Sequence, residues 1–290
     1  MGLLHQAFAC SYPALNLFRK FRHFTGYDRS ISLRVLLYHD IGPQERIAFE
    51  SQLRWLSRHW TFISPEKFAA VISGKEKIQN NSLMLTFDDG LASNLEVAKK
   101  ILNPMGIQAL FFVVSDLVDI EDHEEARQFI GSHVQPVVSI EELPPYLNNM
   151  KWSDLELLLE EGHTIGAHTR SHARLSEISS SDALEDEIVS SADSLGNHLG
   201  VQIEHFAYTF GDLASFSSKA LRIAQKRFKY VYSSLRGNNT IGTSSFAIRR
   251  DVLTPTNSNA LVGAFLEGGA DILYRRSLRN LDYWVEGENC

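Results

Sequence analysis

The chain has 290 residues, 44% hydrophobic and 22% charged, the balance of a soluble globular protein large enough for one sizeable core. A formal net charge of −7, from 28 basic and 35 acidic residues, argues against a general nucleic-acid binder. The two cysteines, Cys10 and Cys290, lie at opposite ends and make neither a disulfide framework nor a metal cluster, which points to a reducing compartment.

No apolar run approaches the ~20 residues of a membrane span. Residues 1–10 are mildly apolar, but His5 and Gln6 interrupt them and no basic stretch precedes them, so no secretory signal is read. Between positions 15 and 24, Phe18, Phe21 and Phe24 alternate with Arg19, Lys20 and Arg22. Residues 1–30 therefore read as an N-terminal amphipathic arm that caps the domain, forms a dimer contact or touches a membrane surface.

Residues 32–38 are apolar and β-prone, and His39 and Asp40 follow at once. Asp40 is a candidate helix N-cap. Phe49, Leu53, Leu56 and Trp60 recur at helical spacing over 47–60. Ser64 and Pro65 predict an N-cap with proline at the first helical position, opening a helix to about Ile72. Asn80, Asn81 and Ser82 form a turn. The run Leu83-Met84-Leu85-Thr86-Phe87 reads as a buried strand that ends in Asp88, Asp89 and Gly90. Burying two adjacent carboxylates is costly unless a metal or a cation compensates.

A helix is expected over 91–102 and a second buried strand over 108–114. Residues 119–150 then break the rhythm, acidic at first and later carrying Pro136, Pro144 and Pro145. A stretch this long between regular elements is usually functional or mobile, and it reads as an insertion that could form a lid. Ser153 is expected to cap a helix that Gly162 ends. A short strand over 164–167 leads into His168-Thr169-Arg170-Ser171-His172. An amphipathic helix follows over 181–199, then a strand over 203–208 leading into Thr209-Phe210-Gly211-Asp212. Residues 218–228 read as helix, 230–233 and 246–248 as strands, and 259–266 as a late helix. Alternating strands and helices predict an α/β fold with a parallel sheet closed or nearly closed by helices.

His39-Asp40, Asp88-Asp89 and His168 to His172 each follow a predicted strand. In a β/α barrel the carboxyl ends of the strands share one face, where such clusters meet. At i and i+4 on a helical turn, His168 and His172 would share one face and could hold one metal. Two histidines and a carboxylate are a common set for catalytic zinc, with either Asp88 or Asp89 as the carboxylate. The other Asp would then suit a general base. Each signal alone is weak: a His pair can be a solvated helix surface, and Asp-Asp-Gly a turn.

Thr86-Phe87-Asp88-Asp89-Gly90 together with His168-Thr169-Arg170-Ser171-His172 resembles the polysaccharide deacetylases, the NodB-homology carbohydrate esterases. Leu37-Tyr38-His39-Asp40-Ile41 is similar to the early strand of their poly-N-acetylglucosamine deacetylase branch. The run from Glu161 to Ala167 is similar to the family's approach to the His motif, and Phe206 to Gly211 to its third motif. The resemblance spans roughly residues 33–252, and five segments in the family's order make it far more specific than any single motif.

The resemblance implies a distorted (β/α)7-type barrel: one NodB-homology domain over 31–290, behind the arm, with an insertion at about 119–150. By position, Asp88 would be the general base, and Asp89, His168 and His172 the metal ligands. The tetrahedral oxyanion would be held by the metal and a backbone N–H near Phe210, with Tyr208 in the same substrate-facing motif. Three departures stand out. No arginine lies near Ala207, where many relatives carry one that orients the base; Thr209 replaces the usual proline; and no late Leu-x-x-His motif follows Arg250. In the branch with the early Tyr-His that histidine takes the acid's place, so the resemblance makes His39 the candidate acid, or else a residue that orients a metal ligand. Arg250 either contacts Asp88 or lies on the surface.

The implied activity is metal-dependent removal of N-acetyl groups from an acetamido sugar in a polysaccharide or glycan precursor. The alternatives are deacylation of another amide or ester, and glycan binding without catalysis. The ligand set suits Zn2+ first, with Co2+, Ni2+ or Fe2+ as other occupants. The partner expected is an acetylated oligosaccharide or polysaccharide, with no nucleic acid. A cytoplasmic, peripherally membrane-bound enzyme fits the missing signal and the basic-aromatic arm.

Overall fold

The computed structural model describes residues 6, 8–13, 17 and 31–287. The expected arm falls largely outside the described residues, including all of its basic side chains. Among the described residues no helix is long and apolar enough to cross a membrane.

The strands are β1 (Leu33–Tyr38), β2 (Thr61–Phe62), β3 (Ser82–Phe87), β4 (Ala109–Val113), β5 (Thr164–Ala167), β6 (His205–Ala207), β7 (Tyr230–Tyr232) and β8 (Asp251–Val252). They form one parallel sheet in the order β7-β6-β5-β4-β3-β1-β8. β2 lies off this path and pairs with the first two residues of β3, while β4 pairs with its last three. The sheet curls into a half-barrel with helices outside it, a single α/β domain of the (β/α)7 type. Its edges approach through a parallel bridge between Tyr232 and Ile248.

β1, β3 and β4 are buried on both faces, as parallel strands covered by helices must be. Successive side chains alternate between two cores. Leu33, Val35, Met84, Leu110 and Phe112 fill the concave side with Phe68 and Tyr232. Leu36, Tyr38, Leu85, Phe87 and Phe111 pack outward beneath Phe49, Leu53 and Leu56 of the helix Arg46–Leu56. The pairs Tyr38–Phe87, Val113–Ala167 and Ala207–Tyr232 keep the strand ends level. Whatever follows each strand therefore gathers at one rim.

Local signals explain most helix ends. The Ser64 hydroxyl accepts from Lys67 N–H ahead of Pro65. Gly200 closes the helix Ser191–Leu199 with φ 66°. Elsewhere the structure corrects the expectations. Lys151, not Ser153, is the N-cap of Trp152–Glu160, and Asp154 accepts from Lys151 N–H. Glu45, not Asp40, precedes the helix Arg46–Leu56. The helix expected over 181–199 is interrupted by a π-turn at Asp186–Ser190. The strand expected over 246–248 is only the bridge at Ile248, and the paired strand is β8. The helix Arg275–Glu286 had no counterpart in the sequence reading.

The connection from β4 to β5 carries the expected insertion. It is folded: the helix His123–Phe129, a π-turn at Ile130–Val134 and a 3-10 turn at Ile140–Glu142. Leu117, Ala126, Ile130, Leu143 and Leu147 bury a separate small core against Leu91 and Val114. This is a packed wall beside the site rather than the loose lid its composition suggested.

Candidate active site

At the rim, Asp88, Asp89, His168 and His172 are all buried. Asp89 Oδ1 lies 3.6 Å from His168 Nε2 and 3.5 Å from His172 Nε2. Asp88 Oδ2 is 3.8 Å from His168 Nε2. The far side of each imidazole is tied to backbone: His168 Nδ1 donates to Ala207 O at 2.7 Å, and His172 Nδ1 to His133 O at 2.9 Å. A carbonyl only accepts, so in each neutral ring Nδ1 carries the proton and Nε2 keeps its lone pair.

That donor set fits a metal. Asp89, His168 and His172 each offer one ligand atom, and these atoms lie within 4.8 Å of one another. Zinc bonds of about 2.0–2.2 Å in a tetrahedron set neighbouring ligands roughly 3.3–3.6 Å apart, which the two Asp89–imidazole spacings meet. Burial alone would raise Asp89, but contacts with His168 and His172, and the charge of nearby His39, hold it well below the usual carboxylate range. Burial also opposes charge on His168, yet Asp88 and Asp89 outweigh it and push that imidazole up. Asp89 thus stays ionised, the form in which a carboxylate ligates a metal.

Asp88 has a different partner. Arg250 Nη1 donates to Asp88 Oδ1 at 2.6 Å and Nη2 to Oδ2 at 2.8 Å, a bidentate buried pair. Arg250 Nε donates to Ser233 O at 2.8 Å, fixing the fork from behind. Arg250 is therefore no surface residue: it is the residue before β8 and occupies the Asp88 side of the site.

The backbone here is strained. Among the described residues the non-glycine positions with positive φ are Asp89 (77°), Thr169 (62°), His172 (63°) and Phe210 (61°), all in this site. The His168–His172 stretch is thus an irregular loop rather than a helical turn, though its two imidazoles still converge, with ring centroids 5.3 Å apart. Many bonds hold the loop. Ser115 N–H donates to Thr169 O, Asp116 N–H to Arg170 O, and Thr209 Oγ1 to Ala173 O at 2.5 Å. Glu187 accepts from Arg170 N–H (3.1 Å), Ser171 N–H (3.0 Å) and the Ser171 hydroxyl (2.6 Å). Sequence spacing gave no hint of Glu187; its place in the π-turn is the structural sign, since such turns recur at functional sites.

The remaining candidates separate. His39 is exposed at the end of β1, next to the end of β3, and Asn94 Nδ2 donates to its carbonyl at 2.8 Å. Phe210 is 36% exposed, edge-on to His172 at 4.9 Å and covered by Arg174 at 4.2 Å. Tyr208, expected to face the substrate, is 1% exposed and stacked on Phe216 at 4.0 Å. Tyr208 lies one residue past β6, and its ring packs in the outer core. Asp40 accepts from Tyr146 of the insertion at 2.9 Å. His163, beside the His motif, is a packing residue: its Nδ1 accepts from Ala109 N–H, so its Nε2–H donates to Asn103 Oδ1 at 2.9 Å.

A family model described as polysaccharide deacetylase matches residues 75–232. The YxkH protein of Bacillus subtilis (strain 168), named for the same family, is 20% identical over 247 residues, covering 83% of this chain and 78% of that protein. The structure is similar to that of IcaB from Ammonifex degensii, with a TM-score of 0.65 and 20% identity over 82% of this chain and 98% of that one. It is also similar to the Streptococcus pyogenes deacetylase PplD in complex with acetate, with a TM-score of 0.62 and 21% identity over 80% of this chain and 96% of that one.

Proposed function

The chain belongs to the polysaccharide deacetylase family, and from that premise we propose that it is a metal-dependent hydrolase removing N-acetyl groups from an acetamido sugar in a polysaccharide or glycan precursor. The observation that carries this reading is the split of two adjacent buried carboxylates: Asp89 faces two imidazole Nε2 atoms, and Asp88 is clamped by Arg250.

Asp89, His168 and His172 would hold the metal, Zn2+ in the first instance. When bound it supplies Lewis-acid activation of water and of the acetamide carbonyl. Asp88 takes the proton of the attacking water, and the Arg250 fork keeps its carboxylate aimed and its charge balanced. A backbone N–H near Phe210 donates to the developing oxyanion. His39 gives a proton to the departing nitrogen as the C–N bond breaks, leaving acetate and a free amine. Tyr208 takes no part through its side chain. Arg250 also supports catalysis over mere glycan binding, because it supplies the base partner that the third motif lacks. The acetate bound in the PplD structure is the product this chemistry would release.

The test is acetate release from an N-acetylated glucosamine oligosaccharide. The reading expects turnover that a chelator abolishes and added Zn2+ restores. Turnover confined to non-sugar amides or esters would replace the substrate and keep the chemistry. No hydrolysis of any acyl donor by the metal-loaded protein would refute it.

A further inference from the structure

The β4–β5 connection touches both halves of the site. It starts at Ser115 and Asp116, which donate to Thr169 O and Arg170 O in the His loop. Its inserted part ends at Asn149 and Met150: Leu91 bridges Asn149, and Met150 N–H donates to Gly90 O at 2.8 Å, directly after the Asp pair. Between these ends it offers His133 O to His172 Nδ1. His168 takes its carbonyl from β6, in the barrel itself. His172 alone of the two takes it from the inserted segment.

What holds His133 O in place is then decisive. Arg127, on the helix His123–Phe129, donates to three carbonyls across the fold of the insertion: Pro144 O through Nη1, and Ile140 O (3.2 Å) and Leu143 O (3.1 Å) through Nη2. Its side chain is 13% exposed, and its Glu124 contact is long at 4.0 Å. The guanidinium is thus committed to backbone. It clasps residues 140–144 onto the helix whose next turn, Ile130–Val134, carries His133. The His133 ring stacks on Phe129 at 4.3 Å, tying that turn to the same helix.

We propose that the insertion is the outer support of the metal site and that Arg127 is a positioning residue acting on His172 through His133 O. Releasing the clasp lets the carbonyl move, and His172 loses the acceptor that fixes its tautomer and its Nε2 direction. This inference rests on Asp89, His168 and His172 holding a metal.

The test is Zn2+ affinity of the metal-free protein, read by competition with a chromophoric chelator, for wild type, Arg127→Met and Arg127→Lys. Loss of an outer hydrogen-bond partner of a metal-ligating histidine costs about 10–100-fold in affinity. Arg127→Met is expected to bind Zn2+ about 10–100-fold more weakly, with the metal-free melting transition still cooperative. Arg127→Lys, which keeps the charge but cannot span three carbonyls, is expected to fall between the two. If Arg127→Met fails to fold, the Lys variant decides alone. Wild-type affinity in a folded variant overturns the positioning role and leaves the deacetylase reading intact. A wild-type protein that binds no Zn2+ overturns the metal site and this inference with it.

Discussion

Arg250 and Asp251 are neighbours in the chain, both buried, and they belong to two charge clusters on opposite sides of the sheet. On the outer side Arg34 reaches Asp251 at 3.3 Å and Asp271 at 2.8 Å, and Arg236 reaches Asp251 at 3.2 Å. Two guanidinium groups meet two carboxylates, Arg236 also lies over the Phe265 ring at 3.9 Å, and the seam between β1 and β8 is sealed. On the inner side one guanidinium meets two carboxylates. Arg250 takes Asp88, and Asp89 is left with two imidazoles. Burial makes both clusters costly. The balanced one closes a sheet edge. The unbalanced one, where the positive-φ non-glycine positions among the described residues collect, leaves carboxylate charge that a bound cation would balance.

Cutting one guanidinium from each cluster tests that difference. Removing one partner of a buried pair costs roughly 3–5 kcal/mol, because a charge is left uncompensated. Arg250→Met and Arg34→Met should both lose stability of that order in urea denaturation. Only Arg250→Met should also lower kcat per folded molecule. Equal kcat in the two variants would erase the distinction between the clusters.

A smaller effect comes from a buried group with no charge partner. His205 stacks on Tyr230, contacts the Tyr232 hydroxyl at 2.9 Å, and burial, helped by the charge of Lys229, lowers its imidazole from 6.5 to about 3. The folded state refuses a proton that the unfolded chain accepts. Stability is therefore fully present above pH 6.5 and is lost as pH falls toward 3. By pH 5 the loss is about 2 kcal/mol. His205→Phe should flatten that slope in denaturation curves taken between pH 7 and pH 5. An unchanged slope would mean that other groups set it.

The smallest change is at Glu187. Glu187→Gln keeps the shape but weakens three charge-assisted bonds to the His loop. Zn2+ affinity should drop by about tenfold, the low end for an outer hydrogen-bond partner. No drop, by the same chelator competition, would show that Ser115, Asp116 and Thr209 hold the loop unaided.

What the sequence made legible was local. Asp88-Asp89 and His168 to His172 are short runs after short strands, and a parallel sheet brings strand ends together whatever the details. The His pair was even placed correctly for the wrong reason, as a helical turn that the φ angles of Thr169 and His172 rule out. Contacts far apart in the chain were not legible. Arg250 is 162 residues from Asp88, and nothing near it distinguishes a buried fork from a surface arginine. His133 acts through its carbonyl, which every residue possesses. Motif membership says nothing about burial, and Tyr208 packs its ring in the core instead of the open rim. The helix Arg275–Glu286 was legible and missed: Leu278 and Leu281 are buried, and Trp284 and Val285 continue their stripe against the core.

The central claim is that two adjacent carboxylates do different work, Asp89 holding metal and Asp88 moving a proton. The direct measurement is Zn2+ stoichiometry and acetate release for Asp88→Asn and Asp89→Asn, side by side. Asp88→Asn should keep one Zn2+ per chain and lose about 10²–10⁴-fold in kcat. Asp89→Asn should lose the metal and the activity together. Loss of metal in Asp88→Asn, or full metal content in Asp89→Asn, would contradict the assignment.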